Sequence, residues 1–185
     1  MEKQYGQFLK NKVAKPAAEV LSWLELPHSF TDDITADMPE PALITGTFVF
    51  VFKGEALLLM KVSEQGWGIP GGRMERHETP EEAIRRTLFE ETGINPLLLG
   101  FLGQRKITIE ADTPPPHYYQ PFPESHLVFY WAVIQEEAQQ GGAQMAPTKL
   151  FMPLKAEVLD CIKQHKVFYA AALERARVVA AQMEE

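Results

Sequence analysis

The chain has 185 residues, 45% of them hydrophobic, 23% charged and 10% aromatic. That is enough apolar chain for one ordinary core, and it excludes a disordered tail, a collagen-like repeat and a disulfide scaffold. Cys161 stands alone, so an internal bridge and a four-thiolate zinc site are excluded, and the formal net charge of −7 argues against a general polyanion binder.

Taken in chain order, Pro16 to Leu26 presents Ala17, Val20, Leu21 and Leu24 on one face and reads as a short helix. Pro27 to Pro41, with Asp32, Asp33, Asp37 and three prolines, reads as a linker. The expectation is an extension over residues 1–41 followed by a domain over 42–185. Leu43 to Phe52 is rich in β-branched and aromatic residues, Lys53-Gly54-Glu55 is a turn signal, and Ala56 to Val62 completes a predicted hairpin. Gly66 to His77 reads as a loop dense in glycine and charge.

Thr79-Pro80-Glu81-Glu82 announces a helix, with Thr79 as cap, Pro80 in the first turn and Glu82 completing a capping box. Its predicted end is Thr92, with Gly93 as a left-handed cap. Further strands are predicted over Leu97 to Ile109 and Leu127 to Ile134, separated by a proline-rich loop, Thr113 to Pro123. A polar loop, Glu136 to Pro147, leads to one or two helices within Pro153 to Met183. This order implies an α/β sandwich and not a regular doubly wound fold. No apolar run approaches the ~20 residues that span a membrane. Met1 to Tyr5 lacks the apolar core of a secretory signal. A cytoplasmic protein with no membrane partner is therefore expected.

Charge concentrates between Arg73 and Glu91, where 19 residues hold six of the 25 acidic groups. A solvated helix face is the bland explanation, but the spacing points elsewhere. Thr87, Glu90 and Glu91 stand at i, i+3 and i+4 and share a face, with Arg86 one turn before Glu90. Adjacent carboxylates with no lysine between them repel unless they share a cation, and Mg²⁺ favours a few carboxylates with water and phosphate oxygens. Just upstream, Trp67-Gly68-Ile69-Pro70-Gly71-Gly72 lets backbone approach a ligand or metal closely.

The segment Gly72 to Ile94, GRMERHETPEEAIRRTLFEETGI, resembles the box that defines the Nudix hydrolases. Trp67-x-x-Pro70-Gly71-Gly72 resembles the family's approach to it, and Phe151 to Leu154 extends the likeness over roughly residues 42–165. The resemblance implies a Nudix-type α/β/α sandwich with a mixed sheet and a catalytic loop-helix. It also implies Mg²⁺-dependent cleavage (Mn²⁺ being the alternative ion) of a nucleoside diphosphate linked to another moiety, by water attack at phosphorus. ADP-ribose, a nucleotide sugar or a dinucleotide would be the substrate, with no nucleic acid polymer as partner. A homodimer is a family expectation.

The roles that follow are implied by the same likeness. Glu90 and Glu91 ligate metal, the Gly72 or Gly71 carbonyl adds a ligand, and both glycines approach substrate. Arg86 orients Glu90, and Glu78 supports the loop or binds metal through water. Gln144 lies where many members place a further ligand, in a loop that also holds Glu136 and Glu137. Tyr119 and Phe122 offer aromatic faces to a base from a stiff loop. Within that loop Gln120-Pro121-Phe122-Pro123-x-Ser125 partly resembles a motif of the NADH pyrophosphatase branch.

Thr87 departs from the pattern, since the family has glutamate there. One charge is lost from the metal cluster, and two alternatives stay open: a nucleotide-sensing module without turnover, or glycosidic cleavage of a nucleotide sugar. Met145 beside Gln144 weakens the second, because that branch has a histidine there. His28, His126, His165, Phe129, Trp131 and Cys161 read as surface or packing residues.

Overall fold

Thr45 to Phe52 alternates two apolar sets, and the strand carrying them sits at the middle of a mixed sheet. The computed structural model describes residues 27–63, 66–96, 98–114, 116–134, 149–153 and 156–183. The predicted helix Pro16 to Leu26 and the loop Glu136 to Pro147 lie outside them. The strands are β1 (His28–Asp33), β2 (Ile44–Lys53), β3 (Ala56–Ser63), β4 (Gly66–Gly68), β5 (Gly71–Gly72), β6 (Leu98–Ile109), β7 (Glu124–Val133) and β8 (Lys149–Met152). The helices are α1 (Pro80–Thr92), α2 (Ala156–Cys161) and α3 (Lys166–Met183).

The main path of the sheet runs β1-β6-β7-β2-β3-β4, with β5 added to β2 and β8 to β3. β2 and β7 pair in parallel, Thr47 with Val128 and Phe48 with Phe129, while the other ladders are antiparallel. The predicted hairpin is present, and Gly54 turns it with φ 56°. Because side chains alternate along a strand, β2 supplies two cores. Val49 and Val51 pack with Ile84 and Leu88 of α1, Leu58 of β3, and Val128 and Tyr130 of β7. Phe48, Phe50 and Phe52 pack with Phe168, Tyr169 and Ala172 of α3 on the opposite face. Phe129 stacks on Phe168 at 3.9 Å between centroids. The molecule is thus an α/β sandwich with a helix layer on each side of the sheet.

α1 begins and ends where its sequence signals stand. The Thr79 hydroxyl accepts from Glu82 N at 3.2 Å, and Glu82 Oε2 accepts from Thr79 N at 2.8 Å. Gly93 closes the helix at φ 71° and donates to Phe89 O.

Two expectations are corrected. Pro27 to Pro41 is not simply a linker, because His28–Asp33 forms β1 and pairs along its whole length with Gln104 to Ile109 of β6. The cause is tertiary. Arg105, 1% exposed, donates from Nε and Nη2 to the two Asp32 carboxylate oxygens at 2.6 and 2.8 Å, and to the Gln164 carbonyl. The ring of Phe30 covers its guanidinium at 4.4 Å. Gly103 lets this strand approach, since a Cβ there would press into the Asp33 and Ile34 backbone. The second correction concerns Gly66 to His77, which is not all loop. Gly68 pairs with Met60, and Gly71 and Gly72 pair with Phe48 and Thr47. A Cβ on Gly71 would meet the Phe48 ring and lie 2.6 Å from the Thr47 carbonyl, so only glycine permits this ladder.

Candidate active site

The loop Arg73 to Thr79 is tied to α1 by one guanidinium. Arg86 donates from Nε and Nη2 to the two oxygens of Glu78 at 2.6 and 2.9 Å, a bidentate fork. From Nη1 it donates to Glu90 Oε2 at 3.2 Å, and from Nη2 to the Arg73 carbonyl at 3.4 Å. Glu78 also accepts from Glu75 N at 2.8 Å, which folds the loop back on itself. These donors, Arg86 first and the Glu75 amide second, hold the Glu78 carboxyl down at about 2. Arg86 is in turn held more firmly in its charged form.

Glu91 has the opposite environment. It is half-buried, and its Oε2 is enclosed without a hydrogen-bond partner. Desolvation pushes its carboxyl up to about 7, opposed by a hydrogen bond from the Gly71 backbone and reinforced by neighbouring Glu90. Two carboxylates, one in the loop before α1 and one near its end, therefore have opposite environments: Glu78 is ionised throughout the neutral range, and Glu91 is poised for a cation.

The shared face of Thr87, Glu90 and Glu91 is graded in depth. Thr87 is buried, Glu91 lies at the boundary, and the Glu90 side chain is 60% exposed. A Cβ on Gly72 would lie 3.5 to 3.6 Å from the Thr87 side chain, so the threonine flanks the glycine turn. An oxygen-seeking divalent cation fits this set. It would satisfy the orphaned Glu91 oxygen and find Glu90, the Thr87 hydroxyl and the Gly72 backbone nearby. Among the described residues no group of three His, Cys, Asp or Glu side chains converges on an ion position.

The structure thus brings Gly71, Gly72, Glu78, Arg86, Glu90 and Glu91 together. Tyr119 and Phe122 belong to the proline-rich loop. Phe122 meets Tyr118 edge-on at 6.3 Å and packs on the α3-side core, and Tyr119 is 85% exposed. Gln144, Glu136 and Glu137 lie outside the described residues. Thr47 is a further polar residue beside the glycine turn, at 0% exposure on the face of β2 that otherwise carries Val49 and Val51, and its register opposite Gly72 is set by the sheet.

A family model described as the NUDIX domain matches residues 41–172. The chain is 30% identical over 111 residues to a candidate 8-oxo-dGTP diphosphatase of Bacillus subtilis (strain 168), covering 58% of this chain and 66% of that protein. It is 38% identical over 53 residues to an RNA pyrophosphohydrolase of Zymomonas mobilis, covering 29% of this chain and 34% of that protein. The matches thus span between about a third and two thirds of these relatives' lengths. In structure it is similar to the Bacillus subtilis pyrophosphohydrolase BsRppH, with a TM-score of 0.53, 24% identity, and coverage of 70% of this chain and 75% of that one.

Proposed function

Because this chain belongs to the NUDIX domain family, we propose that it is a Mg²⁺-dependent hydrolase cleaving the phosphoanhydride of a nucleoside diphosphate linked to another moiety. The observation that carries the reading is Glu91, a half-buried carboxylate with one free oxygen beside a glycine turn. The linked moiety includes a phosphate as well as a sugar or nucleotide, which accommodates the 8-oxo-dGTP in the name of one relative.

A bound ion supplies charge for a phosphoryl oxygen and acidifies water. The protein's part is positional. Glu91 holds the ion, and the Gly71 amide fixes the carboxylate's orientation. Arg86 keeps Glu78 and Glu90 in register, so the loop and helix present one surface to the diphosphate. Mn²⁺ would substitute, since the donors are oxygens of the same hardness. A cytoplasmic location is part of the proposal.

Product analysis by chromatography tests it, with ADP-ribose, NADH, nucleotide sugars, 8-oxo-dGTP and 5′-triphosphate RNA as substrates. The expected result is metal-dependent release of a nucleoside monophosphate from a small-molecule substrate, or of pyrophosphate from the RNA. Glu91→Gln should lower turnover by more than the ~10–100-fold typical of outer-shell partners. Intact nucleoside diphosphate plus free sugar would mean glycosidic cleavage instead. Binding without turnover under either ion would favour a sensing module, with Thr87 as the reason.

A further inference from the structure

The sheet ends at β1. Among the described residues this strand pairs with β6 alone, and its other edge carries no strand. Backbone parity fixes which groups that edge offers. Glu110 N donates to the Pro27 carbonyl at 2.8 Å, and the β1–β6 register, continued by one residue, sets these two opposite each other. Hydrogen-bonded and non-bonded pairs alternate along an antiparallel ladder, so Pro27, Ser29, Thr31 and Asp33 turn their backbone groups towards β6. The N–H and C=O groups of His28, Phe30 and Asp32 therefore point outward.

Open edges are commonly blunted by lysine, proline, a bulge or a covering element. From His28 to Asp33 the strand has no lysine and no proline, and its register with β6 is unbroken. Its aspartates stand together at one end, and Asp32 is engaged by Arg105. α3 packs across β2, β6 and β7. Phe30 remains 51% exposed although its ring covers the Arg105 guanidinium, and Ile34 and Met38 just beyond the strand are each 41% exposed. An apolar side chain thus stands on an edge whose backbone groups are ready to pair.

The outward parity restricts how two copies of this strand can meet. Backbone bonds form only if His28, Phe30 and Asp32 of one copy face the same set in the other. Antiparallel pairing centred on Phe30 meets that condition. It sets Phe30 against its own counterpart, His28 against Asp32 and Ser29 against Thr31. Two apolar rings then lie side by side, and an imidazole lies beside a carboxylate whose lone pairs are not all taken by Arg105. Centring on Asp32 would set like charges opposite each other, and centring on Thr31 would set Phe30 against Asp32. We infer that β1 pairs antiparallel with β1 of a second copy about a two-fold axis at Phe30, so that one sheet runs through both. A single short strand makes a small interface, and the dimer is therefore weak and concentration-dependent. The inference is independent of the proposed hydrolysis.

Sedimentation velocity on the full chain, from about 1 to 200 μM, tests it. The expected result is a rise from the mass of one chain towards that of two. Phe30→Glu sets two carboxylates together at the axis and places each over an Arg105 guanidinium, so it should weaken the dimer at least about 10-fold while holding the Tm. Cysteines read the register. Ser29 and Thr31 are exposed, and the pairing brings their Cα atoms about 4.5 Å apart between copies, within disulfide reach. With oxidised glutathione, a mixture of Ser29→Cys and Thr31→Cys should cross-link, and each variant alone should do so much less; the native Cys161 is buried. A chain that stays monomeric at every concentration overturns the inference. So does a dimer that Phe30→Glu leaves intact, or one in which each cysteine variant cross-links alone as well as the mixture does.

Discussion

At the scale of single residues, Arg86 shows how one side chain links two elements. Its planar fork spans both oxygens of Glu78 and leaves Nη1 for Glu90. Lysine carries the charge but not the fork. Arg86→Lys should therefore lower kcat about 10–100-fold while shifting Tm little, checked by steady-state kinetics beside thermal unfolding. Arg86, Glu90 and Glu91 were legible as neighbours from their spacing, because a helix converts fixed separations into fixed neighbours, whereas Glu78 lies in the loop before it and was marked by the resemblance. The contrast between Glu78 near 2 and Glu91 near 7 was not legible. It depends on which carboxylate meets the guanidinium and which meets the sheet.

At the scale of elements, α1 is the best-signalled part of the chain. Its cap, its first-turn proline and its terminal glycine all match the predicted limits. Thr79→Ala removes the hydroxyl of the capping box and should cost about 1 kcal/mol, measured by urea unfolding. Activity should fall as well, since the same turn carries Glu78. β1 is the opposite case. Its residues, His28 to Asp33, alternate too weakly to announce a strand, and the strand exists because Arg105 of β6 needs a carboxylate. Asp32→Ala would leave a guanidinium that is 1% exposed without its counter-charge. A loss of about 3–5 kcal/mol follows, read from the urea midpoint. Adding Arg105→Met should recover much of that loss, because the unpaired charge goes with it.

For the molecule as a whole, the sheet separates the two helix layers, and each face holds a buried histidine. His165 sits on the α3 side, with ring centroids 6.1 Å from Phe48 and 5.2 Å from Phe129. Burial, with Arg105 adding to it, lowers this imidazole to about 4 from the usual 6.5. Between these values the unfolded chain binds the proton and the folded one does not. Stability from this group is therefore complete above about pH 6.5, falls as pH drops towards 4, and levels off below it. The span corresponds to about 3 kcal/mol. Urea midpoints at pH 7 and pH 5 should differ more for the unsubstituted chain than for His165→Phe, which has nothing to titrate there.

The sequence by itself determined the hairpin, the limits of α1, the glycine turn and the resemblance that named the family. These rest on local rules: side-chain period, capping chemistry and the backbone freedom of glycine. Tertiary structure alone decided that His28–Asp33 joins the sheet and that Phe122 packs on the α3-side core. It also decided that Thr47, Gln104 and His126 share one face of the sheet. Each of those facts depends on partners far apart in the chain, 73 residues for Asp32 and Arg105, and local pattern carries no record of which distant strand will arrive.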